Sequence, residues 1–279
     1  MRVTFLGVGA QKCASSWIHE VLSDHPEVIV PARKELDFFS YHFENGLDWY
    51  ERQFPNRVGA RAVGEISPSY LHEPGVPERV RSHVGSVKIV VSLRDPVERA
   101  LSHHRHLVRL GMVRDDDLSF ESALARNPSY VEQGLYYRHL SRWVDIFGRS
   151  GMHIVLTEDI RIDRQGVTRR LYEFLQVDPT HRSKALNANS NVSYVPRHRG
   201  LERSVAAIRG GLSAVGAGHV WTALGDVGLR RLYRAGNRRR PSDVIPEPRQ
   251  ETLKSLRATF ASDIQKLSDL IERDLQQWR

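Results

Sequence analysis

Short hydrophobic runs alternate with amphipathic stretches along most of the chain. The runs at 3–9 (VTFLGVG), 87–93 (VKIVVSL) and 152–156 (MHIVL) have the length and composition of buried strands. Between them, apolar residues recur at helical spacing. This alternation is typical of a three-layer α/β domain with a central, mainly parallel sheet flanked by helices. The helices predicted after the second run lie at 97–110, 119–126, 135–148, 166–175 and 249–278.

The first predicted helix follows directly on the first hydrophobic run. Ser15 or Ser16 is the residue type that caps a helix N-terminus, and the helix is predicted to end before His25. The positions that recur at helical spacing are Trp17, Ile18, Val21 and Leu22.

Residues 200–248 depart from this pattern. Glycine, alanine and valine mix over 210–228, six arginines fall within 230–240, and three prolines follow before the last helix. We interpret 200–248 as a basic helical insertion or lid on a single domain that spans 1–279. A solvated arginine-rich helix face is the alternative interpretation.

Composition limits the classes of protein and compartment. The chain has 279 residues, enough for one large domain, and no apolar run long enough for a transmembrane segment. Its start does not have the pattern of a signal peptide. Cys13 is the only cysteine, which excludes an internal disulfide and a cysteine-based zinc site and favours a cytoplasmic location. The formal charge of +8 favours anionic partners without choosing among them.

The segment Gly7–Ser16 (GVGAQKCASS) has the parts of an anion-binding loop. Its glycines permit a tight turn, the amides of a helix N-terminus would face a ligand, and Lys12 adds positive charge. The segment is not a Walker A loop, because the second glycine is missing, and Lys12 occupies the third glycine of a dinucleotide fingerprint. An ordinary strand-to-helix turn with a surface lysine is the alternative.

A second candidate anion site follows the run at 87–93. Arg94 follows this run directly, and Ser102 lies two turns into the next helix. The two positions are about 12 Å apart along the helix axis. A phosphate near the helix start could contact both if Arg94 reaches forward. An Arg-Asp-Pro sequence that merely starts a helix is the alternative.

Several motifs now occur in one order: Lys12 in its loop, KELDFF at 34–39, EISPSY at 65–70 and VSLRDPVERALS at 91–102. This order resembles that of sulfotransferases, the enzymes that use 3′-phosphoadenosine 5′-phosphosulfate (PAPS), and particularly heparan sulfate glucosaminyl 3-O-sulfotransferases. The resemblance covers 1–200 and 245–279. Further matches are GLYYRHLSRW at 134–143, HIVLTED at 153–159 and the final Gln277-Trp278.

The resemblance implies a P-loop-like fold, PAPS as the cofactor and a role for each matching residue. Glu35 corresponds to the catalytic base, which would take a proton from an acceptor hydroxyl as it attacks sulfur. Lys12 would also be catalytic, by stabilising charge on the leaving phosphate. No metal is implied. The residues implied to bind the 5′-phosphosulfate are Lys12, Ala14, Ser15, Ser16 and Trp17, those for the 3′-phosphate are Arg94 and Ser102, and a second basic loop is Arg197, Arg199 and Gly200.

Departures from the family pattern concern the acceptor. Asp37 stands where the heparan sulfate enzymes have a histidine, and Ile66 stands where they have a lysine. We therefore expect a bacterial-type relative that acts on a hydroxyl of a small natural product, lipid or glycoside rather than on heparan sulfate. Asp37, Ile66 and His106 are the candidate acceptor-binding residues. Whether Asp37 or a histidine assists Glu35, and the oligomeric state, stay open.

Two other classes of function remain as alternatives. A nucleotide-dependent small-molecule kinase could use the same sheet and loop, although no magnesium-holding aspartate is evident after a strand. A non-enzymatic protein that binds polyanions would depend on the arginines of 230–240. We expect no nucleic-acid partner, and His103, His104 and His106 lack the carboxylate partners typical of a metal site.

Overall fold

A computed structural model describes residues 3–55, 59–113, 118–187, 195–196 and 238–279. By their contacts, the residues group into two compact units. The first comprises Met1–Ala100, Ser129–Asn191 and Leu253–Arg279, and the second comprises Leu101–Pro128 and Val192–Thr252. The single domain expected from the sequence stays a prediction.

The first unit is built on a five-stranded sheet in which all neighbouring strands run parallel, in the order β2-β3-β1-β4-β5. Phe5 in the central strand pairs with Gly64 on one side and Lys88 on the other. The predicted α/β class with a mainly parallel sheet is therefore confirmed. The strands are β1 (Phe5–Gly9), β2 (Val28–Ile29), β3 (Ala62–Ile66), β4 (Lys88–Leu93) and β5 (Met152–Leu156).

Helices connect the strands, as a parallel sheet requires. The predicted helices at 97–110, 119–126, 135–148 and 166–175 are confirmed within two residues at each end. The sequence did not reveal β2, β3 or the helices α2 to α4, α7 and α9. The described helices are α1 (Ser15–Ser23), α2 (Phe38–Tyr41), α3 (Leu47–Glu51), α4 (Val76–His83), α5 (Pro96–Leu110), α6 (Phe120–Arg126), α7 (Ser129–Glu132), α8 (Tyr136–Phe147), α9 (Thr157–Ile162), α10 (Arg164–Leu175) and α11 (Gln250–Ile271).

A hydrophobic core fixes α1 and α10 against the sheet. Every residue of β1 is buried, and its Phe5 packs in one cluster with the apolar faces of both helices. Trp17 contributes its ring to this cluster, and its Nε1 donates to the Leu186 carbonyl at 3.2 Å. The core thereby sets the position of the N-terminus of α1 relative to the end of β1.

Two predicted helix ends differ from the structure. The residue before α1 is Ala14, in the left-handed conformation (φ 67°), so neither Ser15 nor Ser16 is the cap. The final helix ends at Ile271, not at 278, because Glu272 turns into the left-handed region (φ 55°), a common way for a helix to stop. A short 3₁₀ turn then buries Trp278.

In the second unit, Val195–Pro196 and Arg238–Arg239 form a short antiparallel pair, with Val195 opposite Arg239. Most of the predicted insertion at 200–248 lies outside the described residues, and its role as a lid stays a prediction. Among the helices that the structure describes, none is both long and apolar enough to cross a bilayer.

Candidate active site

The loop after β1 is held tightly against its neighbours. A side chain at Gly9 would place its Cβ 2.6 Å from the Cβ of Leu71, so only glycine fits there. The Ala10 amide donates to the Ser92 carbonyl at 2.6 Å, and the Ser92 hydroxyl donates to the Gly9 carbonyl at 3.2 Å. These bonds join the loop to the end of β4, which lies beside β1 in the sheet.

The backbone of this loop suits an anion. Lys12 and Ala14 both adopt left-handed conformations (φ 68° and 67°), and the chain then enters α1. Alanine offers no side-chain acceptor, so the first-turn amides of α1 are left without the usual cap, at the positive end of the helix dipole. Ser15 is buried, and Ser16 is half-buried. Amides, hydroxyls and a lysine here form a donor set that fits a phosphosulfate group.

The ring of Trp17 lies in the core, which leaves its backbone amide as the group available to a ligand at this site. Its indole is 5% exposed and lies in the core, as described above. The amide of Trp17 belongs to the first turn of α1, where no intrahelical acceptor is available. A cofactor-binding role for Trp17 therefore belongs to its N–H and not to its ring.

Arg94 follows the last residue of β4, at the same edge of the sheet as the Lys12 loop. Its Nη2 donates to Glu98 Oε2 at 2.7 Å, whereas its buried Nε has no acceptor among the residues that the structure describes. Arg99, Arg142 and Arg149 also have a buried Nε without an acceptor among the described residues, so what distinguishes Arg94 is its place directly after β4. A phosphate oxygen is a fitting partner for its guanidinium. Arg94 thus suits the predicted 3′-phosphate.

Glu35 and Asp37 lie in the loop between β2 and α2, both in left-handed conformations (φ 61° and 52°). The Glu35 side chain is 51% exposed and forms an ion pair with Lys34. The Asp37 carboxylate accepts from the Ser69 hydroxyl at 2.6 Å, and burial raises its pKa. The structure therefore brings the two predicted acceptor-side carboxylates into one loop, with Glu35 accessible to a ligand.

Sequence reasoning missed Glu65, a buried carboxylate on β3. The side chain is 1% exposed, and it accepts hydrogen bonds from the Ser67 hydroxyl at 2.6 Å and from the Tyr70 hydroxyl. Burial raises the pKa of Glu65 to about 7 even though both hydroxyls favour the ionised form. The available signal was an acidic residue in an apolar run, followed by hydroxyl residues in EISPSY.

Of the remaining predicted residues, three are described by the structure and three lie outside the described ranges. Ile66 is 3% exposed and packs in the core, where a Cβ on Gly7 would lie 2.7 Å from its Cγ1. Ser102 and His106 lie on α5 in the second unit, and the His106 Nδ1 accepts from Arg109 at 3.1 Å. The residues outside the described ranges are Arg197, Arg199 and Gly200.

Cys13 is fully buried within the loop. Its Sγ lies 3.6 Å from the Tyr136 hydroxyl, and burial raises the thiol pKa to about 11. The thiol is therefore neutral near physiological pH and is no nucleophile there. Within the part of the chain that the structure describes, no three histidine, cysteine, aspartate or glutamate residues are grouped so as to hold a metal ion.

Comparisons with known proteins agree on one family. A model of the sulfotransferase domain matches residues 4–203. Heparan sulfate glucosamine 3-O-sulfotransferase 3B1 of Mus musculus is 31% identical over 177 residues, covering 60% of this chain and 44% of that protein. Heparan sulfate glucosamine 3-O-sulfotransferase 5 of Mus musculus is 29% identical, covering 53% of this chain and 46% of that protein. The chain thus matches less than half the length of these curated relatives.

A solved structure extends the match over the whole chain. A sulfotransferase from Alicyclobacillus acidocaldarius superposes with a TM-score of 0.74 at 27% sequence identity. The superposition covers 100% of this chain and 99% of the other. The predicted P-loop-like fold is therefore confirmed.

Proposed function

The chain belongs to the sulfotransferase domain family, and on that premise we propose that it transfers a sulfuryl group from PAPS to a hydroxyl of a natural product, lipid or glycoside. The observation that carries the proposal is the donor set at the carboxyl ends of two neighbouring strands. One strand leads into the Lys12 loop and the uncapped N-terminus of α1, and the other leads into Arg94 with its unsatisfied Nε.

Two regions of the first unit would bind the two phosphorylated ends of the cofactor. Lys12, the amides from Ala14 to Trp17 and the hydroxyls of Ser15 and Ser16 would hold the 5′-phosphosulfate. Arg94 would hold the 3′-phosphate. The assignment of Ser102, Arg197, Arg199 and Gly200 to the same nucleotide rests on the family resemblance alone.

PAPS, when bound, supplies a sulfur atom that forms a bond to the acceptor oxygen while the bond from sulfur to the 5′-phosphate oxygen breaks, its electron pair remaining on 3′-phosphoadenosine 5′-phosphate. Glu35 takes the proton of the acceptor hydroxyl, because it is the exposed carboxylate of its loop. Lys12 stabilises negative charge at the phosphate side. Positioning and electrostatics by these residues then supply the catalysis.

The acceptor side favours a neutral molecule over a polyanion. Glu35 and Asp37 place two carboxylates in the loop that would face the acceptor, and position 66 holds an isoleucine. Like charges repel, so a highly sulfated chain would bind poorly beside this pair. We therefore propose a small hydroxylated acceptor, although the curated relatives are named for heparan sulfate. A reducing cytoplasm remains a prediction from the single cysteine.

A thermal-shift titration with 3′-phosphoadenosine 5′-phosphate, beside ATP-magnesium and NADH, tests the cofactor. A ligand at 100 times its Kd stabilises the folded state by about 2.7 kcal/mol. We expect a shift with the 3′-phosphorylated nucleotide only, and its loss in Lys12→Ala. A response to ATP-magnesium alone would instead support a kinase. No response to any nucleotide, with salt-sensitive binding of heparin, would support a polyanion-binding protein.

Transfer itself is tested by mass spectrometry of hydroxylated acceptors incubated with PAPS. The expected product is heavier by one sulfuryl group, and its formation should require both the nucleotide and Glu35. Product formation by Glu35→Gln at the wild-type rate would show that the assignment of the base is wrong.

A further inference from the structure

We propose that Glu65 is a positioning residue whose ionised carboxylate directs two hydroxyl groups and thereby holds the loop that carries Glu35. The inference rests on the proposed function, since it gives Glu65 a part in sulfuryl transfer. Glu65 itself is buried on β3, and the described hydrogen bonds that link it to this loop run through those hydroxyls. It therefore acts through its neighbours and not on the reacting atoms.

The two hydroxyls connect Glu65 to the backbone where the loop ends and α2 begins. The Ser67 hydroxyl donates to Glu65 Oε2 at 2.6 Å and accepts from the Asp37 amide at 2.9 Å. The Tyr70 hydroxyl donates to Glu65 Oε1 and accepts from the Phe39 amide at 3.2 Å. Two backbone amides on either side of Phe38 are thus connected to one buried carboxylate.

The ionisation of Glu65 fixes the direction of these bonds. A hydroxyl carries one hydrogen, and an ionised carboxylate can only accept. Ionised Glu65 therefore draws the hydrogens of Ser67 and Tyr70 toward itself, which leaves a lone pair of each oxygen for an amide of the loop. A protonated Glu65, or a glutamine, would present a donor to one of the hydroxyls and so compete with the amide for its oxygen.

The loop needs this support because its backbone is strained. Glu35 and Asp37 are both non-glycine residues with left-handed φ angles, which persist only where the surroundings enforce them. The described bonds that enforce them come from the end of β3 and the turn after it: the Ile66 carbonyl accepts from the Glu35 amide at 3.2 Å, and the Ser69 hydroxyl donates to the Asp37 carboxylate at 2.6 Å. Glu65 anchors the same segment through Ser67 and Tyr70.

The groups that face Glu65 leave its pKa close to neutral pH. The titratable groups that face it are Asp37 from the loop, Tyr50 from α3 and Tyr70 from the turn after β3, and none of these three is cationic. Burial outweighs the two hydroxyl bonds and raises the pKa of Glu65 to about 7. The order of the Glu35 loop is therefore expected to increase as the pH rises through neutrality.

Amide hydrogen exchange and kinetics on the full chain test the proposal together. The exchange of a peptide covering 34–42, corrected for its intrinsic rate, and kcat for the best acceptor are followed from about pH 6 to about pH 9. Wild-type protein should gain protection and kcat through neutral pH. Glu65→Gln should exchange about tenfold faster and turn over about tenfold more slowly than wild type at about pH 9, the change expected from one lost hydrogen bond. The two proteins should converge toward about pH 6, where Glu65 is largely protonated. KM for PAPS should stay the same.

Glu78→Gln is the matched control, because Glu78 is exposed in the first turn of α4. It should behave as wild type does. If Glu65→Gln keeps wild-type protection and the wild-type pH profile of kcat, Glu65 has no positioning role. A kcat loss without faster exchange, or a rise in KM for PAPS of the same size, would equally overturn the proposal.

Two further variants keep the test decisive if Glu65→Gln fails to fold. Ser67→Ala and Tyr70→Phe each remove one hydroxyl and leave Glu65 in place, so each should release mainly its own amide, Asp37 or Phe39. Wild-type exchange and kcat in both variants would refute the proposal. If wild-type protein transfers no sulfate to any acceptor, the proposed function fails, whereas the exchange data still decide whether Glu65 holds the loop.

Discussion

Arg94 and Glu98 form an ion pair at the start of α5, with 2.7 Å between Nη2 and Oε2. Glu98 lies one helical turn beyond Arg94, so its carboxylate occupies one edge of the guanidinium that we assign to the 3′-phosphate. The Nε of the same guanidinium is buried and has no acceptor within the described residues. Glu98 therefore both orients Arg94 and places a negative charge beside an anion site.

Glu98→Gln is expected to tighten binding of 3′-phosphoadenosine 5′-phosphate by roughly two- to fivefold, because it removes a like charge while keeping a hydrogen-bond acceptor. Calorimetry should find no such gain for adenosine 5′-phosphate, which lacks the 3′-phosphate. Glu173→Gln is the control, since Glu173 pairs with Arg169 in the same one-turn spacing on α10. Equal gains for both nucleotides would argue against a 3′-phosphate at Arg94.

Glu35→Gln should reduce kcat by about 10² to 10⁴, the range typical of a lost general base. The thermal shift caused by 3′-phosphoadenosine 5′-phosphate should be unchanged, because Glu35 lies on the acceptor side. Glu44→Gln provides the comparison, since Glu44 is exposed a few residues further along the chain. A parallel loss of nucleotide binding in Glu35→Gln would place this carboxylate in the cofactor site instead.

The stability of the fold should depend on pH through Glu65. Its pKa rises to about 7 on folding, so between about pH 4.5 and 7 the folded chain binds more protons than the unfolded chain. The contribution of Glu65 to the free energy of unfolding is therefore complete below this range and declines as the pH rises through it. Glutamine does not titrate, so the free energy of unfolding of Glu65→Gln should lack this decline. As the pH rises through this range, the variant should therefore gain up to about 3 kcal/mol of stability relative to wild type.

Urea unfolding of wild type and Glu65→Gln at about pH 5 and about pH 8 measures this difference. The quantity of interest is the change with pH in the gap between the two proteins, since the gap at one pH also contains the altered hydrogen bonds. If the difference in unfolding free energy stays constant, or moves in favour of wild type at the higher pH, burial does not raise the pKa of Glu65.

Cys13 should resist thiol reagents in the folded protein. With a pKa of about 11, only about one thiol in 10³ is ionised at pH 8, and the residue is fully buried. Labelling by a disulfide reagent should therefore be slow in buffer and rapid in urea. Labelling in buffer at the rate of free cysteine would show that the loop opens readily or that Cys13 is ionised.

The sequence predicted the elements whose hydrophobic pattern is continuous. In β1, β4 and β5 apolar residues predominate and no acidic residue occurs, and the Lys12 loop is marked by its glycines. β3 was not predicted because Gly64 and Glu65 interrupt its run. Both are explained only by tertiary contacts, since a Cβ on Gly64 would lie 2.1 Å from the Phe5 carbonyl oxygen, and the Glu65 carboxylate needs distant partners.

Parts of the candidate site were also not predicted from local sequence, because their backbone conformations depend on tertiary contacts. Glu35 was assigned by resemblance alone, because its place opposite the turn after β3 depends on a backbone conformation that glutamate disfavours. Ala14 also lies in the left-handed region, so local preference pointed to the serines beside it as the cap. Residues in unfavourable conformations are those that local sequence rules identify least well.

The pairing of Val195 with Arg239 holds together two segments that lie far apart in the sequence. The conformational entropy lost in closing a long loop grows only slowly with the number of residues that the loop contains. Lengthening or shortening the sequence between these two segments should therefore change the stability of their pairing only slightly.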